Sequence, residues 1–366
     1  MRVLLSFFFF LLLARGSSAQ TDTLKKANPG FTDMLVTTEN IYALNASGQL
    51  LRWDIKTLTR TFISDTTVKY LSIAKDRKNK IYLGTANGKI FTLNEDDHST
   101  QLHLELKKAL RISDLFFNSE DELFLIVPNA VYDPIHNKAW ANFKHTYNPF
   151  VMKPSLWAFL KRSSNYFLMP DHSFLDSQDR IWMTSSFGEF GGSIQIFDTQ
   201  KRKECRANID SLNLGLLFPK SVFEDQNQNM YITSGLQHFY KHGQIFCLQN
   251  DAAKLVYDSD DFRDTADKFP FGGGIFVGPG AFNPVDNKMY FATTDGFYRA
   301  SIPNKGRITT PELLFKPELL WGQEPLAIGV SMSVKRLDFT SDNRLVFLTD
   351  YNGIGIFDGT ALHMIE

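Results

Sequence analysis

Residues Asp176 to Asp198 read DSQDRIWMTSSFGEFGGSIQIFD, and this stretch decides the fold. A polar turn (Asp176 to Asp179) leads into an apolar segment opened by an aliphatic residue and an aromatic (Ile181, Trp182). A glycine-bearing turn follows, and then a segment in which apolar residues alternate with polar ones (Ser193 to Phe197). Alternation with period two, bounded by Gly, Asn, Asp and Ser, is the pattern of an antiparallel hairpin. The same unit recurs seven times, with its apolar strand starting at Ile41, Ile81, Leu123, Ile181, Met230, Met289 and Leu345. Repeats at such a period decide an architecture before any single element is assigned.

Each unit also carries a strand before the quoted hairpin, as in KYLSIAKD ending at Asp76, and a more variable one after it, as at Leu58 to Ile63. Four antiparallel strands in 40 to 60 residues form a sheet with two apolar faces. Both faces are buried only if there is a neighbour on each side, and a closed ring supplies that. The reading is therefore all-β: a seven-bladed β-propeller of four-stranded antiparallel blades. Helical solenoids are excluded because no window sustains three- and four-residue apolar spacing. A pair of β-sandwiches would not require matched repeats along the whole chain. Blade one is expected to begin with its inner strand near Phe31 and blade seven to end with its outer strand at Leu362 to Ile365. The ring then closes by face packing, with no strand exchanged between the termini.

The unit at Asp176 resembles the repeat of the two-component-regulator propellers, in which an acidic turn precedes an aliphatic-Trp strand, a Thr, and a Gly-led strand ending in an aromatic and Asp. Looser versions stand at NKIYLGTANGKIFTLN and DNKMYFATTDGFYRASI, and the motif is shared with NHL, WD-repeat (WD40-like) and gluconolactonase-like propellers. The resemblance implies a fold and a surface-recognition role, and it implies no catalytic residues.

The first residues have the order of a secretory signal peptide: Met1 and Arg2, an apolar run from Val3 to Ala14, and the small residues Gly16, Ser17, Ser18 and Ala19. The expectation is a signal peptide at 1–19 and one propeller domain at 20–366, secreted or periplasmic and monomeric. The apolar run falls short of the roughly 20 residues a spanning helix needs, so stable membrane insertion is not expected. With 39 basic against 40 acidic residues, the charge that drives nonspecific nucleic-acid binding is absent. Two cysteines, Cys205 and Cys247, would permit one disulfide in an oxidising compartment, and sequence leaves that open.

Nine residues before each second strand lie Thr32, Ser72, Asp114, His172, Ser221, Gly280 and Arg336, mostly polar. Seven before lie residues such as Ala74, Phe116, Phe174, Phe223 and Phe282. This contrast predicts a polar ring where the inner strands open into a central channel. The candidate binding residues there are Asp114, Asp171, His172, Lys220, Lys335 and Arg336. Long connections at about 133–171, 258–284 and 303–333 are the other candidates, since binding tends to sit on loops held by a rigid scaffold. The first is dense in rings; Trp140, Tyr147 and Trp157 would either stack on a ligand or pack the insertion onto the blades. The second holds Asp258, Asp260, Asp261, Asp264 and Asp267, which could bind a divalent cation such as calcium or form a solvated turn. His238 and His242 read as surface residues. No phosphate-binding loop, zinc-protease motif, nucleophile elbow or Cys-x-x-Cys occurs. The expected role is a non-catalytic binding module for a protein or carbohydrate partner, without a cofactor. The alternative is a gluconolactonase-like metal-dependent hydrolase or lyase using His172, Asp114 and Asp171 at the channel mouth.

Overall fold

A computed structural model describes residues 30–365 except 64–66, 145, 148–162, 165, 207–208, 238–240, 250–251, 263–273, 303–305, 309 and 320–333. It contains seven four-stranded antiparallel sheets, each following the chain from inner to outer strand, and the fold is a seven-bladed β-propeller. The inner strands are Phe31–Val36, Tyr70–Lys75, Asp114–Phe117, His172–Leu175, Pro219–Glu224, Val277–Asn283 and Val334–Phe339. Among the described residues no helix is long and apolar enough to cross a membrane.

The turn before each second strand has a chemistry that explains the repeat. In blades two, four and five the carboxylate of Asp76, Asp176 or Asp225 accepts backbone N–H groups two and four residues on, at 2.8–3.0 Å. It also accepts from an aromatic side chain six residues on: Tyr82 (3.2 Å), Trp182 (2.7 Å) or Tyr231 (3.2 Å). The residue three after the acid takes a left-handed backbone, with φ of 62° at Asn79, 60° at Asp179 and 63° at Gln228, a conformation that Asn and Asp tolerate better than most side chains. The acid and the aromatic of the sequence repeat are thus two halves of one hydrogen-bonded corner.

Apolar side chains gather in seven clusters, one in each seam between neighbouring blades. The last joins blades one and seven, with Met34, Ile41 and Trp53 against Val346, Ile354 and Ile356. Among the described residues blade one is built of strands from Phe31 to Phe62 and blade seven of strands from Val334 to Ile365, so the ring closes by face packing with no described strand exchanged. Both thiols are free. Cys205 packs in the seam of blades four and five and Cys247 in the seam of blades five and six, on opposite faces of blade five.

The three long connections are shorter than the sequence suggested. Outer strands lie inside two of them, Lys138–Trp140 and Glu312–Phe315, and the inner strand of blade six, Val277–Asn283, occupies the end of the third. These strands are short or interrupted by Gly and Pro, so their alternation is too weak to see. All three connections run from an outer strand to the start of the next inner strand, on the same end of the ring.

Candidate functional site

The inner strands of all seven blades enclose an axial cavity of about 1020 Å³. Its walls carry the polar positions found by counting, with a correction in blade one; blade six departs the other way, Phe282 pairing with Met289 seven residues on. In blade one Val36 pairs with Ile41, five residues on, whereas Lys75, Phe117, Leu175, Glu224 and Phe339 each pair six residues on. The turn is one residue shorter, so Asp33 rather than Thr32 occupies the ring position. Thr32 is exposed, its hydroxyl donating to the Leu44 carbonyl at 3.3 Å.

Most ring residues reach across to the next blade. Asp33 accepts from the Ile73 N–H (2.9 Å), Ser72 donates to the Ile112 carbonyl (3.1 Å), and Asp114 accepts from the Ser173 hydroxyl. The His172 imidazole meets the Val222 carbonyl (3.3 Å), and Ser221 bonds both backbone groups of Gly280. Arg336 closes the circle, donating to the Met34 carbonyl (3.1 Å) with Asp33 at 3.4 Å and Asp338 at 3.8 Å. Sequence reasoning missed Asp33, Ser173 and Asp338. Asp33 was hidden by the turn length, and the other two stand at positions that carry apolar residues in most other blades.

The charges are unbalanced. Six carboxylates (Asp33, Asp114, Asp171, Glu224, Asp338 and Asp350) line the cavity against four cations (Lys75, Lys220, Lys335 and Arg336). Two pairs neutralise each other at the mouth. Lys335 bonds Asp350 at 2.7 Å, and Lys220 feels the Asp171 carboxylate while sitting 5.4 Å from the Phe276 ring centre. Deeper in, the carboxylates of Asp33, Asp114 and Asp338 face the Arg336 guanidinium, and the Lys75 ammonium also acts on Asp338. Burial followed by the Asp33 charge pushes Asp114 up to about 7, and burial raises Asp33 and Asp338 against the pull of Arg336. Burial and, secondarily, the Arg336 charge push His172 down to about 4, so it is neutral at physiological pH. Burial lowers Lys220, and Asp171 partly offsets this. Beyond the ring the lining holds Phe116, Phe117, Phe174, Phe223, Phe282 and Phe339, with Lys75, Glu224 and Asp338 at equivalent strand positions among them.

Asp114, Asp171, His172, Lys220, Lys335 and Arg336 therefore share one cavity. The ring-bearing insertion stands apart from it. Trp140 packs 4.9 Å from Phe197, in the seam of blades three and four, where Phe143 and Phe167 are also buried. Tyr147 lies in a two-residue strand paired with Ser163, and Trp157 falls outside the described residues. Among the described residues the one trio of donor atoms within 4.8 Å of each other is His242, Asp258 and Asp260, on blade five away from the axis. His242 is half-buried there rather than on the open surface. Asp261 bonds Arg307 at 2.6 Å, and Asp264, Asp267 and His238 lie outside the described residues.

No protein-family model matches the chain, and no curated protein sequence does. Solved structures do resemble it. Virginiamycin B lyase from Staphylococcus aureus is 11% identical with a TM-score of 0.52, over 92% of this chain and 96% of that one. The Cps50 (Swd1) β-propeller domain of Myceliophteria thermophila is 10% identical with a TM-score of 0.54, over 91% and 98%. Hydrazine synthase from Kuenenia stuttgartiensis is 10% identical with a TM-score of 0.55, over 96% and 99%. At these identities the likeness is one of fold, and proteins with a lyase's name and with a propeller domain's name share it.

Proposed function

We propose that this chain is an exported binding propeller whose axial channel receives a cationic group, an ammonium or guanidinium, displayed by a protein or carbohydrate partner. One observation carries the reading: three carboxylates, Asp33, Asp114 and Asp338, face two cations inside one cavity, the Arg336 guanidinium and the Lys75 ammonium that acts on Asp338. Uncompensated charge of one sign in a partly desolvated cleft attracts a ligand of the other sign more strongly than it would in open water. Spacing favours an organic cation over a metal ion. Among the described residues no three His, Cys, Asp or Glu ligand atoms of the channel lie within 4.8 Å of one another, whereas calcium needs several oxygens at about 2.3–2.6 Å.

The test is calorimetric titration with two probe pairs: Nα-acetyl-lysine methylamide against its Nε-acetylated form, and glucosamine against N-acetylglucosamine. The expected result is saturable binding of a charged member and none of its neutral counterpart. Substituting Asp33→Asn with Asp114→Asn should weaken that binding by about tenfold or more, the scale of a lost charged contact. Equal binding of charged and neutral members would overturn the reading.

A second reading, hydrolase or lyase, is favoured by the position of Asp114 near neutrality beside the Ser173 hydroxyl, since a group titrating near the working pH passes protons efficiently. It is checked by screening lactones and glycosides for turnover that Asp114→Asn removes.

A further inference from the structure

The mouth of the channel has an apolar lip on one side. Met169, Phe190 and Leu216 are 44%, 47% and 67% exposed. They stand on three loops tied to one another. The Ser185 hydroxyl donates to the Met169 carbonyl at 3.1 Å, and the Gly192 N–H donates to the Leu214 carbonyl at 2.9 Å. Met169 and Gly188, two residues before Phe190, both line the axial cavity. Large apolar side chains clustered at the rim of a charged pocket are the arrangement by which interfaces combine an anchor with a water-excluding surround. A sugar would leave the methionine and leucine unsatisfied, since it needs hydrogen-bonding groups and flat rings.

We infer that the partner is a protein segment that places a lysine or arginine side chain in the channel, beside Asp33 and Asp114, and lays a neighbouring apolar side chain on Met169, Phe190 and Leu216. This rests on the cation-binding reading and adds to it the chemical class of the partner. Charge complementarity supplies the anchor, and the lip supplies the discrimination between a peptide and a free amine or amino sugar.

The experiment pans a displayed library of random peptides on the full chain, on Asp33→Asn with Asp114→Asn, and on Phe190→Ser with Leu216→Ser. Both variants are at polar or exposed positions, and circular dichroism verifies their fold. The expected result is enrichment of sequences that pair a basic residue with an adjacent Leu, Ile, Met or aromatic residue. A synthetic peptide from that pool should lose about tenfold or more in affinity on either variant, whereas Nα-acetyl-lysine methylamide should lose affinity only on the first. Enrichment of peptides without basic residues, or a pool indifferent to Phe190 and Leu216, overturns the inference. If glucosamine binds and no peptide is enriched, the inference falls and the cation-binding reading stands. If no cationic probe binds at all, both fall.

Discussion

At the scale of single residues, the channel groups do two jobs that pull against each other. Ser72, His172, Ser221 and Arg336 make bonds between blades; Asp33 and Asp114 do so as well and, with Asp338, also crowd more carboxyl groups together than the facing cations balance. Their titration makes this measurable. Asp114 is raised to about 7, above the ordinary carboxylate value near 4, so the folded chain holds a proton there that the unfolded chain releases. Its contribution to stability is full below about pH 4 and is lost as pH rises to about 7. His172 is lowered to about 4, so its contribution is full above the ordinary value near 6.5 and is lost as pH falls through that window. The two slopes oppose each other. Asp114→Asn should therefore gain stability relative to the parent as pH rises from 4 to 7, and His172→Asn should lose it over nearly the same range. Urea midpoints at several pH values check both signs; parallel curves for parent and variants would show that neither group is held as described.

At the scale of elements, the corner before the second strand explains why the repeat was legible. An acid, a left-handed residue and an aromatic recur at fixed offsets because the carboxylate takes the aromatic and the N–H groups on either side of the left-handed residue, whose own N–H goes to the acid's backbone carbonyl, and so the pattern survives in sequence. Asp225→Ala would leave the Asn227 and Asn229 N–H groups and the buried Tyr231 hydroxyl without their acceptor. The expected loss is about 2–3 kcal/mol, seen as a lower denaturant midpoint with an unchanged slope. Gln228→Gly, three residues on, should instead stabilise by up to about 1 kcal/mol by relieving a positive φ, less the added chain entropy of glycine. Other elements left weaker traces. The three-residue outer strand Lys138–Trp140 alternates too briefly to register, and its exposed first two residues need no apolar side chain. Asp33 was hidden because a turn shortened by one residue changes the face a count selects. The bonds between blades were invisible for a different reason: Asp114 and Ser173 become neighbours only once the ring order is known.

At the scale of the molecule, the seam between blades one and seven differs from the other six in one respect: among the described residues no connection crosses it. Its packing is not thin. Among the described residues twelve buried ones meet there against eight between blades three and four, and Arg344 adds a bond to the Ile55 carbonyl at 2.8 Å and Ser341 one to the Thr38 carbonyl at 3.2 Å. Parting this seam, however, separates two strands joined only through the whole ring of described residues, whereas parting any other leaves the blades tethered by a direct connection, and a shorter tether allows less entropy on opening. Partial opening should therefore concentrate here despite the good packing. Leu348→Ala removes a buried side chain from the seam and should cost about 2–5 kcal/mol. In native-state hydrogen exchange its effect should appear first and together in Phe31–Val36 and Ile354–Phe357, strands at opposite ends of the sequence, while blades three to five keep their protection. Protection falling evenly over all seven blades would mean that the ring opens only as a whole, and that face packing alone closes it as firmly as a continuous chain would.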